Sequence, residues 1–100
     1  MLADDHAVVR DGLRALLDDA PDIEVAGLAA DGLEAIRLAT EVAPDVVVMD
    51  IAMPRINGIE ATRRIVKAVP ETRVLILSQH EDLHYVMEAV HAGASGYLLK

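Results

Sequence analysis

The sequence contains no cysteine, no phenylalanine and no tryptophan, and only two tyrosines among its 100 residues. The lack of cysteine excludes a disulfide scaffold, a thiol nucleophile and a zinc-thiolate site. With so few aromatic residues the core must be built from Leu, Ile, Val, Ala and Met, and apolar residues make up 53% of the chain. An aliphatic core of this kind is typical of a parallel sheet covered by helices.

Basic residues are also scarce, with 9 Lys and Arg against 17 Asp and Glu and a formal net charge of −8. A surface that holds a nucleic-acid backbone needs clustered Lys and Arg, so we expect no nucleic-acid contact from this segment. No basic leader opens the chain, and no apolar run approaches the roughly 20 residues that span a bilayer. We therefore expect a single cytoplasmic domain that does not contact a membrane.

Short apolar runs alternate with helical patterns along the chain. Strands are predicted at Leu2-Ala3, at residues 23–28, 46–49 and 74–77, and at Tyr97-Leu98-Leu99. This alternation predicts right-handed βαβ units and a parallel sheet. Since the first strand is short and no helix follows the last one, we expect an incomplete domain or a partly exposed apolar face.

The helical segments carry recognisable start and stop signals. Asp31 is predicted to cap the second helix, with Glu34 in the capping-box position. The residues expected to face inward from that helix are Leu33, Ile36 and Ala39. The fourth helix is predicted from the helical spacing of Leu83, Val86, Met87 and Val90, with Met87 in the core and Gly93 as its C-cap.

Polar residues follow four of the predicted strands, and the ends of parallel strands meet at one edge of the sheet. These residues are Asp4, Asp5, Asp50, Ser78 and Lys100. Three carboxylates placed together repel one another unless a cation neutralises them, and an all-oxygen site suits Mg²⁺ better than Zn²⁺. A cation held there can clamp a phosphoryl group, with Asp50 as nucleophile, Ser78 as hydrogen-bond donor and Lys100 as counter-charge.

Simpler roles exist for the same residues. Asp4 or Asp5 could cap the first helix and Ser78 the fourth, and capping is compatible with ligand contact. Lys100 could be a solvated surface residue. His80 and His84 lie four residues apart, as helix-borne metal ligands can, but the better interpretation is that His80 borders the site and modulates how water reaches it.

Taken together, these motifs resemble a known family. The segments Asp4-Asp5, Met49-Asp50-Ile51-Ala52-Met53-Pro54 with Gly58, Ser78, and Tyr97-Leu98-Leu99-Lys100 match, in order and spacing, the receiver domain of bacterial two-component response regulators. Residues 77–82 and 93–97 look most like the branch whose members join a receiver to a LuxR-type helix-turn-helix. We expect that output domain to be absent from this chain.

The resemblance implies a fold and a set of partners. The implied fold is a flavodoxin-like, doubly wound parallel sheet in the order 2-1-3-4-5, here with a shortened first strand and without the fifth helix. The implied function is a phosphorylation-activated switch in two-component signalling, with a sensor histidine kinase as phosphoryl donor and transcription as the output. Homodimerisation through the fourth-helix and fifth-strand face is a further implication.

The resemblance also implies residue roles. Asp50 would accept the phosphoryl group. Mg²⁺ would be held by Asp5, by Asp50 and by the backbone carbonyl of Ala52, with Asp4 supporting it through water. Ser78 and Tyr97 would form the switch, the hydroxyl moving toward the phosphoryl group and the ring turning inward behind it.

Other functions fit the sequence less well. A haloacid-dehalogenase-type phosphatase normally has a second Asp two residues after its nucleophile, where this chain has Ala52. We therefore expect no turnover of exogenous phosphate esters and predict that the protein is not an enzyme. A dinucleotide-binding domain lacks support because no glycine fingerprint follows the first strand. The alternative that stays open is a receiver-like interaction module that works without phosphorylation.

Overall fold

The computed structural model describes residues 1–79 and 83–99. The strands among these residues are β1 (Leu2–Ala3), β2 (Leu28–Ala29), β3 (Val46–Met49), β4 (Arg73–Ser78) and β5 (Gly96–Leu99). The helices between them are α1 (Ala7–Asp18), α2 (Gly32–Val42), α3 (Gly58–Ala68) and α4 (Leu83–Ala92).

The five strands form one parallel sheet in the order β2-β1-β3-β4-β5. Met49 pairs with Ala3 on one side and with Ile76 on the other, and Ile76 pairs in turn with Tyr97. The chain steps in one direction from β1 to β2 and in the opposite direction through β3, β4 and β5. Right-handed crossovers therefore place α1 on one face of the sheet and the other three helices on the opposite face. The predicted fold class and strand order are confirmed.

The core lies between the sheet and the layer formed by α2, α3 and α4, which pack side by side. Strand residues that point to this side are fully buried, as in Val47, Met49 and Ile76. The helices meet them with small or branched side chains, such as Ala39 and Ile65. The predicted aliphatic core is therefore present, and half-buried Tyr85 and Tyr97 pack at its margin.

The second helix begins as the sequence predicts. The Asp31 carboxylate accepts a hydrogen bond from the backbone N–H of Glu34 at 2.8 Å, which satisfies one of the free donors of the first turn. Ala39 is buried and Ile36 packs against the core, but Leu33 is exposed. The inward prediction for Leu33 is wrong because Gly32 and Ala35 occupy the contact face at this end of the helix.

The second strand is shorter than predicted. Residues 23–27 are irregular, and only Leu28 of the predicted 23–28 segment lies in β2, followed by Ala29. β1 offers only Leu2 and Ala3 for pairing with β2, so a longer ladder has no partner at this edge. β2 lies at the edge of the sheet.

The apolar residues that predict α4 do not face the core. Leu83, Met87 and Val90 are exposed, and the buried positions of this helix are Ala89 and Ala92. The interpretation of Met87 as a core residue is therefore wrong: the small alanine side packs inward and leaves the larger side chains in solvent. Gly93 ends the helix with a φ of +104°, which confirms its predicted role as C-cap.

The α1 face of the sheet is thinly covered. No residue of α1 is buried, and its Val8 and Leu16 are among the most exposed apolar side chains of the described residues. Leu98 of β5, which points to the same side of the sheet, is 52% exposed. The expectation of a partly exposed apolar face is confirmed. None of the helices in the described ranges combines the length and the apolar character needed to cross a membrane.

Candidate functional site

Two buried aspartates leave adjacent strands at the carboxyl edge of the sheet. Asp4 directly follows β1 and Asp50 directly follows β3, the strand beside it. The backbone N–H of Asp50 donates to the carbonyl of Ala3 at 2.9 Å, and that of Asp4 donates to Ala29 at 3.0 Å. The ladder thus continues one residue beyond the strands and fixes both carboxylates at the same edge.

The structure brings a third carboxylate, Asp5, to the same point. Oxygen atoms of Asp4, Asp5 and Asp50 and a ring nitrogen of His6 all lie within 4.8 Å of one another. Asp4 and Asp50 are only 3% and 5% exposed, whereas Asp5 faces solvent. Burying two carboxylates so close together is costly unless positive charge compensates them. The donor set of hard oxygens, open on one side to water, therefore fits a divalent cation such as Mg²⁺.

His6 is the member of this cluster that sequence reasoning missed. Its Nδ1 lies 3.0 Å from Oδ1 of Asp4, 3.1 Å from Oδ1 of Asp5 and 3.8 Å from Oδ2 of Asp50. The signal was available in its position, since it directly follows the acidic pair at the strand end. An exposed histidine at the start of a helix is common, however, so the type of residue alone did not single it out.

The backbone around Asp4 is held by α1. Nη1 of Arg10 donates to the carbonyl oxygen of Asp4 at 2.9 Å, and the N–H of Arg10 donates to the carbonyl of His6. The Asp4 side chain in turn accepts the N–H of His6 at 2.8 Å. These hydrogen bonds therefore hold the loop that carries the acidic pair against the first turn of α1.

The segment after Asp50 is a tight loop that leads into α3. The N–H groups of Met53 and Gly58 both donate to the carbonyl of Ile51, at 3.0 and 2.8 Å. Ile51 and Met53 are buried, and Ala52 between them is exposed at the site edge. Burial of its two neighbours fixes the backbone at Ala52. The carbonyl of Ala52 is the predicted backbone ligand of Mg²⁺.

Ser78 and Tyr97 lie on the two strands beyond β3. Ser78 is the last residue of β4 and is buried, and Leu99 of β5 is its partner in the ladder. Tyr97 is half-buried and packs against the core two residues before Leu99. Ser78 is thus at the same carboxyl edge of the sheet as Asp50, and Tyr97 lies on the neighbouring strand, level with Ile76 and Met49. The predictions for Lys100 and His80 concern positions outside the described residues.

Comparison with known proteins identifies the family. The sequence profile of the response regulator receiver domain matches residues 1–100, the full length of the chain. The chain belongs to the response regulator receiver domain family. The receiver fold is equally clear in solved structures: the chain superposes with a TM-score of 0.94 on a LuxR-family two-component response regulator from Aurantimonas sp. SI85-9A1. That protein is 46% identical, and the match covers 100% of this chain and 71% of that one.

Two further relatives are similar to this receiver domain. It is 46% identical over 100 residues to the transcriptional regulatory protein LiaR of Bacillus subtilis, covering all of this chain and 47% of LiaR. The response regulator domain of Thermotoga maritima CheB is 42% identical with a TM-score of 0.92, covering 99% of this chain and 75% of that one. The predicted likeness to the LuxR branch is confirmed. The chain spans less than half the length of the first curated relatives it matches.

Proposed function

We propose that this receiver domain is a phosphorylation-controlled switch in which Asp50 accepts a phosphoryl group from a phosphohistidine of a sensor kinase. The observation that carries the proposal is the carboxylate cluster at the carboxyl edge, with Asp50 buried at the end of β3 and Asp4 and Asp5 beside it. The family assignment supports the same role.

The chemistry requires little beyond positioning. A carboxylate oxygen of Asp50 attacks phosphorus while the bond from phosphorus to the histidine nitrogen breaks, and the electron pair of that bond returns to the ring. Because the second ring nitrogen of the phosphohistidine carries a proton, the step leaves an acyl phosphate on Asp50 and a neutral imidazole on the donor. No general base is needed, because an ionised carboxylate is already a nucleophile. Asp5, Asp50 and the carbonyl of Ala52 would hold Mg²⁺, with Asp4 supporting it through water. The cation would neutralise the carboxylates and the incoming phosphoryl oxygens.

The response would then pass through β4 and β5. The Ser78 hydroxyl would donate to a phosphoryl oxygen, Lys100 would counter its charge, and Tyr97 would turn inward behind Ser78. Ser78 ends β4 at the same edge of the sheet as Asp50, and Tyr97 packs against the core from the neighbouring strand, which supports this assignment. In this role the domain transmits a signal and does not turn over an exogenous substrate.

The output of the switch is proposed from the relatives. LiaR and DegU are named transcriptional regulatory proteins, and this chain corresponds to less than half of each. We infer that a separate domain contacts DNA, because the receiver itself carries a net charge of −8. We also propose that the α4 and β5 face mediates a homodimer, since Leu83, Met87 and Val90 leave a cluster of apolar side chains in solvent.

The proposed phosphoryl transfer can be tested by intact mass spectrometry. The chain is incubated with acetyl phosphate and Mg²⁺, alongside Asp50→Asn and the control Asp45→Asn, which changes an exposed aspartate at the other end of the same strand. We expect one Mg²⁺-dependent phosphoryl adduct on the parent and on Asp45→Asn, and none on Asp50→Asn. Circular dichroism confirms that all three chains are folded.

Two results would contradict the proposal. Labelling of Asp50→Asn to the same extent as the parent would show that Asp50 is not the nucleophile. The absence of an adduct on the folded parent would favour the second candidate, a receiver-like interaction module that works without phosphorylation.

A further inference from the structure

His6 is placed among the candidate metal ligands by the backbone and not by a long flexible side chain. It is the N-cap residue of α1, and its N–H is bound by Asp4 while its carbonyl accepts the N–H of Arg10 at 2.9 Å. Its ring nitrogen Nδ1 consequently faces the three carboxylates on the strand edge. The ring is 55% exposed, so it can adjust without disturbing the core.

Nδ1 lies within hydrogen-bonding distance of an Asp4 oxygen, and its distances to Asp4 and Asp5 are also those of neighbouring ligands on one cation. Two ligands at right angles, each about 2.1 Å from a metal ion, lie about 3.0 Å apart. Nδ1 lies 3.0 Å from an oxygen of Asp4, 3.1 Å from one of Asp5 and 3.8 Å from one of Asp50. The imidazole is therefore positioned as a further side-chain ligand beside Asp5 and Asp50 with little rearrangement.

We propose that His6 Nδ1 is a ligand of the cation bound by this receiver domain, and that it shifts the preference of the site from Mg²⁺ toward transition-metal ions such as Co²⁺. Imidazole nitrogen suits transition metals, whereas Mg²⁺ strongly prefers oxygen. Replacing one oxygen or water by this nitrogen therefore changes relative affinities more than it changes the fold. The inference rests on the proposed function, because the same carboxylates must hold the cation.

Direct metal titration tests the selectivity. Isothermal titration calorimetry with Mg²⁺, Mn²⁺ and Co²⁺, each alone, is performed on the parent, on His6→Asn and on the control His91→Asn, which changes an exposed histidine near the end of α4. In His6→Asn we expect the Co²⁺ affinity to fall about tenfold to a hundredfold relative to that for Mg²⁺, in line with losses on disturbing a metal ligand shell. His91→Asn should keep the parent ratio.

Pulsed electron paramagnetic resonance of bound Mn²⁺ supplies a readout that a merely structural role would not change. A coordinated imidazole gives a nitrogen modulation, which we expect in the parent and in His91→Asn but not in His6→Asn. Mn²⁺ binding to the parent without nitrogen modulation, together with an unchanged Co²⁺ to Mg²⁺ ratio in His6→Asn, would overturn the inference.

The two proposals fail in different ways. If the parent binds Mg²⁺ and forms the Asp50 adduct but shows no nitrogen modulation, only the role of His6 is wrong. If none of the three ions binds to the folded parent, the metal site itself is wrong, and the inference about His6 fails with it.

Discussion

Gly58 controls how closely α3 approaches the candidate phosphorylation site. A Cβ atom at this position would lie 2.0 Å from the carbonyl oxygen of Asp50 and 3.0 Å from the Cα of Ile51. Its N–H also donates to the carbonyl of Ile51 at 2.8 Å. The absence of a side chain therefore lets the first turn of α3 rest directly on the backbone that carries Asp50.

We expect Gly58→Ala to destabilise the domain by about 1–3 kcal/mol, the usual cost of forcing a methyl group into a packed site. Because the atoms in the way are backbone atoms of Asp50, the substitution should also displace the nucleophile and slow phosphorylation by acetyl phosphate. Urea unfolding and the rate of adduct formation by mass spectrometry measure the two effects.

Gly12→Ala is the matched control, since a Cβ there meets no atom within 4 Å. Gly12 lies inside α1, where alanine favours the helix by up to about 1 kcal/mol, so this variant should be as stable as the parent or slightly more stable. Equal stability and equal labelling rates for Gly58→Ala and the parent would refute the assigned role of Gly58.

Single residues of the site differ in how far the sequence could predict them. Asp4, Asp5 and Asp50 were predictable as neighbours because each follows a strand, and parallel strands end at one edge. The contact of Gly58 with Asp50 was not predictable from the sequence, because it depends on how closely a helix approaches a strand end. His6 was missed for a related reason: its ring orientation is set by the turn between β1 and α1.

Among the elements, those with local signals agree best with the sequence. Asp31 caps α2 and Gly93 ends α4 because capping depends on residues within one turn. The strand predicted at residues 23–28 and the inward face of α4 depend on the neighbours that each element finds in the fold. The short β1 limits the length of β2. Alanines pack α4 against the core, so the helical spacing of its larger apolar residues predicted the wrong inward face.

The first turn of α3 carries a charge cluster that predicts a pH effect. The Glu60 carboxylate accepts hydrogen bonds from Arg64 at 3.1 Å and from Arg63, and the Arg64 bond is the main cause of its lowered pKa. Because the folded pKa of Glu60 lies below the ordinary value of 4.5, the ionised carboxylate stabilises the fold fully at pH values above 4.5. Its contribution is lost as the pH falls through the folded pKa.

We therefore expect Glu60→Gln to be slightly less stable than the parent at neutral pH. This difference in stability should disappear as the pH falls below the folded pKa of Glu60. Urea unfolding of both chains over this pH range measures the difference. The effect should be small, because surface ion pairs contribute little.

Glu71→Gln removes an exposed negative charge at the end of the α3 to β4 connection and controls for the loss of one charge. A stability difference between Glu60→Gln and the parent that grows toward acidic pH would contradict the sign of the predicted shift.

At the scale of the whole molecule, the sheet has two unequal faces. The face under α2, α3 and α4 holds the buried core, whereas α1 alone covers the other in the described residues. The alternation of strands and helices predicted a parallel sheet, and the strand order was implied by the family resemblance. The exposed surface of α4 was not predictable, since it depends on which side of each helix the sheet occupies.

The exposed side of α4 gives the last prediction, on association. Met87 lies at the centre of the apolar cluster with Leu83 and Val90 and is 51% exposed. A twofold dimer uses the same patch on both partners, so one substitution places two negative charges in the interface. We expect sedimentation velocity after acetyl phosphate treatment to show a dimer for the parent and at least about tenfold weaker association for Met87→Glu, since desolvated charges disfavour an apolar interface.

Val8→Glu introduces the same charge on α1, on the opposite side of the sheet, at a position that is 86% exposed. It should dimerise like the parent if the α4 and β5 face is the interface. If Val8→Glu weakens association and Met87→Glu does not, the dimer forms through the thinly covered α1 face. In that case the switch would have to signal across the sheet and not along β4 and β5 to the neighbouring helix.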